Sequence, residues 1–410
     1  MTQIIDVDIE HIHALSHGGV AAPKGFKAGG LHCGIKYKRP DLGWIHSEVP
    51  ANAAAVYTTN QFQAAPLLVT QDSIAIEQKL QSVVVNSGVA NACTGDEGMT
   101  NAYHMRKLYA EHVVAEEHHI AVVSTGLIGE QLPMEKVSHG IQQIALEDMN
   151  EDLFEKAILT TDTATKHVAL QMEIDGKTIT IGGAAKGSGM IHPNMATMLA
   201  FMTTDAAVSQ TYLHQALKDI TNKTYNMITV DGDTSTNDMV LVMANGLAEN
   251  KPLSKKHPQW DLFVKGLEHA SQTLAKMIAR DGEGATKLVE VQVKGAADDH
   301  AAQAISKAVA GSNLVKTAIY GTDPNWGRIV CAVGYSGKPI DTNNIKVTLG
   351  PVTVVEKGLP VPFNEEEAKS YLHQENIHIA VELDEGQGTA TAWGCDLTYD
   401  YVKINASYRT

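Results

Sequence analysis

Three short runs dominated by apolar residues stop abruptly in small, polar and glycine-bearing sequence. Ser82-Val83-Val84-Val85 passes straight into Asn86-Ser87-Gly88-Val89-Ala90-Asn91-Ala92-Cys93-Thr94-Gly95. Ile120-Ala121-Val122-Val123 opens into Ser124-Thr125-Gly126-Leu127-Ile128-Gly129, and Met227-Ile228-Thr229-Val230 into Asp231-Gly232-Asp233-Thr234-Ser235-Thr236-Asn237-Asp238. Runs this short, bounded by turn formers, read as buried strands. A fourth boundary has the reverse order. The glycine-rich stretch Lys186-Gly187-Ser188-Gly189-Met190-Ile191-His192 leads through the turn-forming pair Pro193-Asn194 to Ala196-Thr197 and the apolar run 198–202. Thr197 thus stands where a loop meets a buried strand.

The remaining pattern fills in around these boundaries. Strands are expected at 34–38, 53–58, 288–294, 329–333, 345–349, 352–355 and 377–383, with a hairpin of 167–174 and 178–181 turning at Asp175-Gly176-Lys177. Helices are expected near 101–118, 134–148, 209–225, 301–310 and 365–373. The clearest is 261–280, where Phe263, Leu267, Ala270, Leu274, Met277 and Ile278 recur at three- and four-residue steps. Strands and helices mix without strict alternation, which indicates a layered α/β or α+β architecture. Residues 320–328 read as a loop. The end of the chain, Tyr401 to Thr410, looks ordered, although termini usually fray.

Composition narrows the partners. A chain of 410 residues can hold two or three domains and a full-sized core. Its formal charge of −15 disfavours nucleic acid and anionic membrane surfaces, which need clustered Lys and Arg. An anionic small substrate needs only one local Lys. Cys33, Cys93, Cys331 and Cys395 are far apart and form no C-x-x-C pair, so neither zinc spacing nor a disulfide framework is indicated. Reduced thiols in a cytoplasmic protein are the simple reading. The N-terminus carries no secretory pattern, and no run of about 18 apolar residues offers a membrane span.

Three chemistries compete for the loops. A nucleotide site wants G-x-x-x-x-G-K-[ST] or G-x-G-x-x-G at a strand-to-helix turn. Lys186 to Gly189 has the glycines in the wrong order and is followed by a strand. A serine hydrolase wants G-x-S-x-G, which is absent. The third is a threonine whose own α-amino group is the base, which requires a chain break directly before it. Ala196-Thr197 is a suitable place. The acidic loop at 231–238 invites a calcium reading but fails the EF-hand pattern: its sixth position is Thr236 and its twelfth Val242. No metal is expected.

The run K-G-S-G-M-I-H-P-N-M-A-T-M-L-A-F-M-T-T-D-A at 186–206 resembles the self-cleavage segment of the glutamate N-acetyltransferase / ornithine acetyltransferase family. So do N-S-G-V-A-N-A-C-T-G at 86–95, S-T-G-L-I-G at 124–129, T-T-D-T at 160–163, D-G-E-G-A-T-K at 281–287, G-T-D-P-N-W-G-R at 321–328 and the terminal Y-V-K-I-N-A-S-Y-R-T. The matches are collinear over essentially the whole chain. One departure is Val89, where the family pattern N-S-G-N-A-N leads one to expect Asn.

The resemblance implies an αββα sandwich over residues 1–285 and a smaller α/β domain over 286–410. It implies self-cleavage between Ala196 and Thr197 into chains 1–196 and 197–410, assembled as α2β2. Thr197 is then the nucleophile of a ping-pong transfer of acetyl from N-acetylornithine to glutamate, releasing ornithine and N-acetylglutamate. Thr125 and Gly126 would form the oxyanion hole. Lys186 would bind the substrate carboxylate and Glu283 an ammonium. Asn405 and Thr410 would be C-terminal substrate contacts. One of Thr160 and Thr161 would belong to the site. No cofactor is implied, and acetyl-CoA enters only as a second acetyl donor. A self-processed aminopeptidase or amidase of the same fold is the competing reading.

Overall fold

Residues 42–57 form one strand of 16 residues with a proline inside it. Its first part pairs with residues 82–86, and Asn52–Tyr57 pair with 239–244; the register shifts between His46 and Ala51. Pro50 has no N–H to give to a ladder, so it is tolerated at this break. The strand thereby passes from one sheet layer to another.

The computed structural model describes residues 10–147, 150–192 and 198–407. In chain order they form β1 (His13–Ala14), β2 (Phe26–Leu31), β3 (Leu42–Tyr57), α1 (Ala65–Glu77), β4 (Lys79–Val89), α2 (Gly95–Val113), β5 (Ile120–Leu127), α3 (Met134–Gln142), α4 (Glu151–Ile158), β6 (Lys166–Ile174), β7 (Lys177–Lys186), β8 (Leu199–Thr204), α5 (Gln210–Lys223) and β9 (Met239–Ala244). The long helix α6 (Trp260–Arg280) follows. Then come β10 (Leu288–Ala296), α7 (Asp299–Gly311), α8 (Asn313–Tyr320), α9 (Trp326–Gly334), β11 (Lys346–Leu349), β12 (Val352–Glu356), β13 (Leu359–Pro360), α10 (Glu365–Leu372), β14 (Asn376–Glu382), β15 (Gly388–Cys395) and α11 (Tyr399–Ser407).

Among the described residues, β1 to β9 make a nine-stranded sheet in the order β1-β6-β7-β8-β9-β3-β4-β5, with β2 on β3. Because β3 bends, this ladder folds into two stacked layers. Alternation along the strands assigns each side chain to a face. Val83, Val85, Ala121, Val123, Phe201, Leu241 and Met243 meet in the core between the layers. Val84, Ile120 and Val122 point outward to α2 and α3. Leu170, Met172, Ile181, Met202, Val240 and Val242 point the other way, to α5 and α6. The result is the αββα sandwich. A second sheet, β13-β12-β11-β14-β10-β15, lies against α7 and shares its apolar core with α6.

Several expected elements differ. The run 227–230 is no strand: Thr229 and Val230 give their N–H groups to Trp393 and Ile191 in loop contacts. Residues 329–333 lie in α9, where Asn325 caps the helix by accepting from Arg328 N–H. The segment 34–38 is irregular, with its backbone held by Asp41. The helix expected at 101–118 is α2, which starts earlier and ends at Val113. α3 ends at Gln142 rather than near 148. Asn86 to Val89 and Ser124 to Leu127, read as loops, continue their strands.

Candidate active site

Two glycines explain why those strands run on. Ser87 pairs with Thr125 and Gly88 with Gly126 across the β4–β5 ladder, at a register shift. A Cβ on Gly126 would lie 2.3 Å from the Gly88 carbonyl carbon, and Gly126 has φ +134°. No other residue fits there. The Ser124 carbonyl and the Ala90 carbonyl both accept from Asn237 Nδ2, at 2.8 and 2.6 Å. The loop before β9 therefore clamps the two strand ends that present Thr125 and Gly126.

The end of β7 supplies Lys186, which is 8% exposed. Its Nζ donates to Thr160 Oγ1 at 2.7 Å and lies 3.9 Å from Asp162 Oδ2. Asp162 in turn accepts from Gly187 N–H at 2.6 Å and from Lys166 Nζ at 2.8 Å, and Lys166 also reaches Asp281 at 2.6 Å. Burial alone would raise the Asp162 carboxyl. The Lys166 and Lys186 charges and the Gly187 N–H outweigh it and hold it well below the usual carboxylate range. Burial opposes the Lys166 charge, yet Asp162 and Asp281 raise its ammonium above the usual value. Outside this chain of charges, Lys36 and Arg39 donate to the Leu159 and Thr160 carbonyls at 2.5 and 2.9 Å. Burial, with the nearby Arg39 and Lys186 charges, pushes Lys36 down to about 8.

The opposite side of the cleft comes from the turn after α6 and from α11. Glu283 is 6% exposed and accepts from Asn405 Nδ2 at 2.7 Å. Its own N–H donates to the Ser188 carbonyl at 3.1 Å, and Ser188 Oγ donates to the Asp281 carbonyl at 2.7 Å. A Cβ on Gly189 would meet Glu283 Oε1 at 2.3 Å, so glycine is required for that carboxylate to stand there. Asp231 takes the N–H groups of Met190 and Ile191 on its two oxygens, at 2.7 and 2.8 Å. That is the work of the acidic loop: it pins the stretch leading toward residue 193.

These pieces enclose a cleft of about 220 Å³ lined by Thr125, Gly126, Thr160, Thr161, Lys186 and Glu283, with Asn405 at its rim. Residues more than 270 positions apart in sequence thus share one wall. Both threonines of the 160–161 pair line it, and Thr160 is the one bound to Lys186. Met198 and Leu199 also line it. Ala196, Thr197 and Thr410 lie outside the described residues. Val89 is buried in the α2-facing core, where an Asn would be out of place, and Ala90 takes the cleft position. The sequence reading missed Asp162, Asp231, Asn237 and Asp238. Asp162 stood in the quoted T-T-D-T, and the other three in the acidic loop.

A further group, Glu77 with His118 and His119, lies at the end of α1. Glu77 sits 3.4 Å from His118 Nε2 and 3.0 Å from His119 Nε2. The single carboxylate engages both rings, which accounts for the grouping.

The model of the ArgJ family matches residues 27–410. The arginine biosynthesis bifunctional protein ArgJ of Oceanobacillus iheyensis is 58% identical over 402 residues, covering 98% of this chain and 99% of that protein. The protein of the same name from Bacillus subtilis is 55% identical over 393 residues, with 96% and 97% covered. A crystal structure of arginine biosynthesis bifunctional protein argJ from Bacillus halodurans is 57% identical, with a TM-score of 0.50; it covers 51% of this chain and 98% of that one. With the family model spanning nearly the whole sequence and two full-length relatives above half identity, the chain belongs to the ArgJ family.

Proposed function

We propose that the cleft moves an acetyl group from N-acetylornithine to glutamate, as a step of arginine biosynthesis in the cytoplasm. The observation that carries this is the convergence of Thr125, Gly126, Lys186 and Glu283 on one cleft whose wall continues into Met198. Met198 directly follows Thr197 in the chain.

Before the first turnover the chain cuts itself. Thr197 Oγ attacks the Ala196 carbonyl, the acyl group shifts from N to O, and water releases chains 1–196 and 197–410. The crystallised Bacillus halodurans relative has a chain about half as long as this one, the size of one such product, which supports the reading. The freed α-amino group has a reference pKa of roughly 8, so it is a usable base for the neighbouring hydroxyl near neutral pH. Thr197 Oγ then attacks the acetyl carbonyl. The Thr125 hydroxyl and the Gly126 N–H take the charge that develops on oxygen. Ornithine leaves, glutamate enters, and its amine carries the acetyl group away as N-acetylglutamate. Lys186 holds the carboxylate common to both amino acids, and Glu283 faces an ammonium. Thr160 or Thr161, Asn405 and Thr410 complete the contacts. The cut chains pair as α2β2. The unit 1–285 carries the cut site and 286–410 brings the terminal helix to it.

Acetyl-CoA is the second donor in this scheme, in keeping with the word bifunctional in the relatives' names. No cofactor is required. The test is direct: purified protein is given N-acetylornithine and glutamate, and free ornithine and N-acetylglutamate are followed together. Equal release of both supports the transferase. Turnover of peptides or amides with no N-acetylglutamate overturns it in favour of the aminopeptidase reading. Replacing N-acetylornithine by acetyl-CoA measures the second activity.

A further inference from the structure

Asp238 is a buried acid of the cleft that the contacts above leave unexplained. It is the last residue before β9, 4% exposed, and it lines the cleft beside Asn237. Asp162 has two lysines and an N–H, and Glu283 has Asn405. The Oδ2 of Asp238 has no hydrogen-bond partner among the described residues. Burial raises this carboxyl well above its ordinary range, against the opposing pull of Lys186 and Ser235. An orphaned carboxyl in a polar cleft is costly to keep unless a further group meets it.

The strand register indicates which group that is. β8 and β9 are parallel, with Leu199 beside Met239, and Met239 N–H donates to the Met198 carbonyl at 2.9 Å. Asp238 precedes Met239 by one residue, and residue 197 precedes Met198 by one. Consecutive Cα atoms are about 3.8 Å apart, so each is one step from this hydrogen-bonded junction. We propose that Asp238 is a positioning residue for acetyl transfer: its carboxylate holds the α-amino group that cutting frees on Thr197 and stabilises the ammonium it becomes. This rests on the acetyl-transfer reading above.

The proton balance is simple. As Thr197 Oγ bonds to the acetyl carbon, its proton moves to the α-nitrogen. When the C–N bond of N-acetylornithine breaks, that proton passes to the departing ornithine nitrogen. Asp238 accepts nothing; it sets a negative charge against a positive one that exists only during transfer. In the uncut chain the same nitrogen is an amide and carries no charge. The other ionisable groups around the cleft are Lys186 at the end of β7, Asp231 and Asp233 in the same loop, Glu283 after α6, and Tyr401 on α11.

The test is D238N, which keeps the shape and removes the charge. The variant is expected to be cut like the wild type. Its kcat should fall on the order of 100-fold while KM for N-acetylornithine stays within about threefold. The rising limb of its pH–kcat profile should move about one unit lower, because an amine without a facing carboxylate binds its proton less tightly. D238E keeps the charge and should leave the limb in place with a smaller loss of kcat. If D238N yields no folded protein, D238E alone decides, and a shifted limb in that variant defeats the proposal. Wild-type kcat with an unmoved limb in D238N overturns it. So does a D238N chain that stays uncut, which would place Asp238 in the cutting step. A wild-type protein that is not cut, or makes no N-acetylglutamate, removes the acetyl-transfer reading itself whatever D238N does.

Discussion

Lys186 and Glu283 face the same cleft but are held in different ways. Lys186 stands at the end of a buried chain of charges, Asp162, Lys166 and Asp281, that joins three separate segments. Glu283 leans on a single amide from Asn405, on a helix whose residues are not buried. The two ends match the two halves of the proposed substrates. Ornithine and glutamate share an α-carboxylate, so one rigid cation serves both. Their side chains end in opposite charges, so the other end must accept either. A fixed wall and an adjustable wall suit that task.

Breaking the rigid wall should have the largest effect. D162N leaves Lys166 and Lys186 buried beside a neutral amide. Removing one partner of a buried ionic pair costs about 3–5 kcal/mol, which denaturant titration will show as a lower midpoint with the slope unchanged. The same variant tests the sign of the pH dependence. The Asp162 carboxyl is depressed in the fold, so its contribution is complete above the unfolded value of roughly 4 and is lost as pH falls through the folded value. Wild type and D162N should therefore converge in stability under strongly acid conditions and differ most near neutrality. A constant gap across pH would remove Asp162 from the network.

The next effect sharpens the division of labour. K186M should raise KM for N-acetylornithine and for glutamate together, by roughly 10–100-fold, because hydrogen bonds to charged groups contribute about 1.5–3 kcal/mol. A change for one substrate alone would show that Lys186 reads the side chain and not the shared carboxylate. The smallest effect belongs to the adjustable wall. N405A frees Glu283 from its one side-chain partner and should alter the KM values for the two substrates unequally, by about three- to tenfold for one of them. Equal changes in steady-state kinetics would erase the contrast between the walls.

How far the sequence carried this picture follows from where each residue's partners lie. The hairpin at 167–181 and the helix at 261–280 declare themselves through local periodicity and turn residues, and both are present. The run Ile329 to Val333 does not, since a short apolar stretch suits strand and helix alike; the cap from Asn325 decides for helix. Thr125, Gly126, Lys186, Glu283 and Asn405 were legible through motif resemblance, and they meet in one cleft. Asp162 was not singled out. Its importance comes from Lys186, 24 positions away, and Gly187, contacts that no local pattern encodes. The acidic loop suggested an ion site, whereas Asp231 spends both oxygens on backbone N–H groups of the 190–191 stretch. The N-S-G and S-T-G segments looked like loops because glycine usually marks one. Here Gly88 and Gly126 let two strands approach too closely for any side chain.

The central claim is that one threonine both cuts the chain and carries the acetyl group. It is tested by comparing wild type with T197A on a denaturing gel and in an assay with N-acetylornithine and glutamate. The account predicts two wild-type bands, each about half of 44.0 kDa, with N-acetylglutamate formed as ornithine is released. It predicts a single full-length T197A band that forms no N-acetylglutamate. A T197A protein that is cut, or that acetylates glutamate at the wild-type rate, would contradict it.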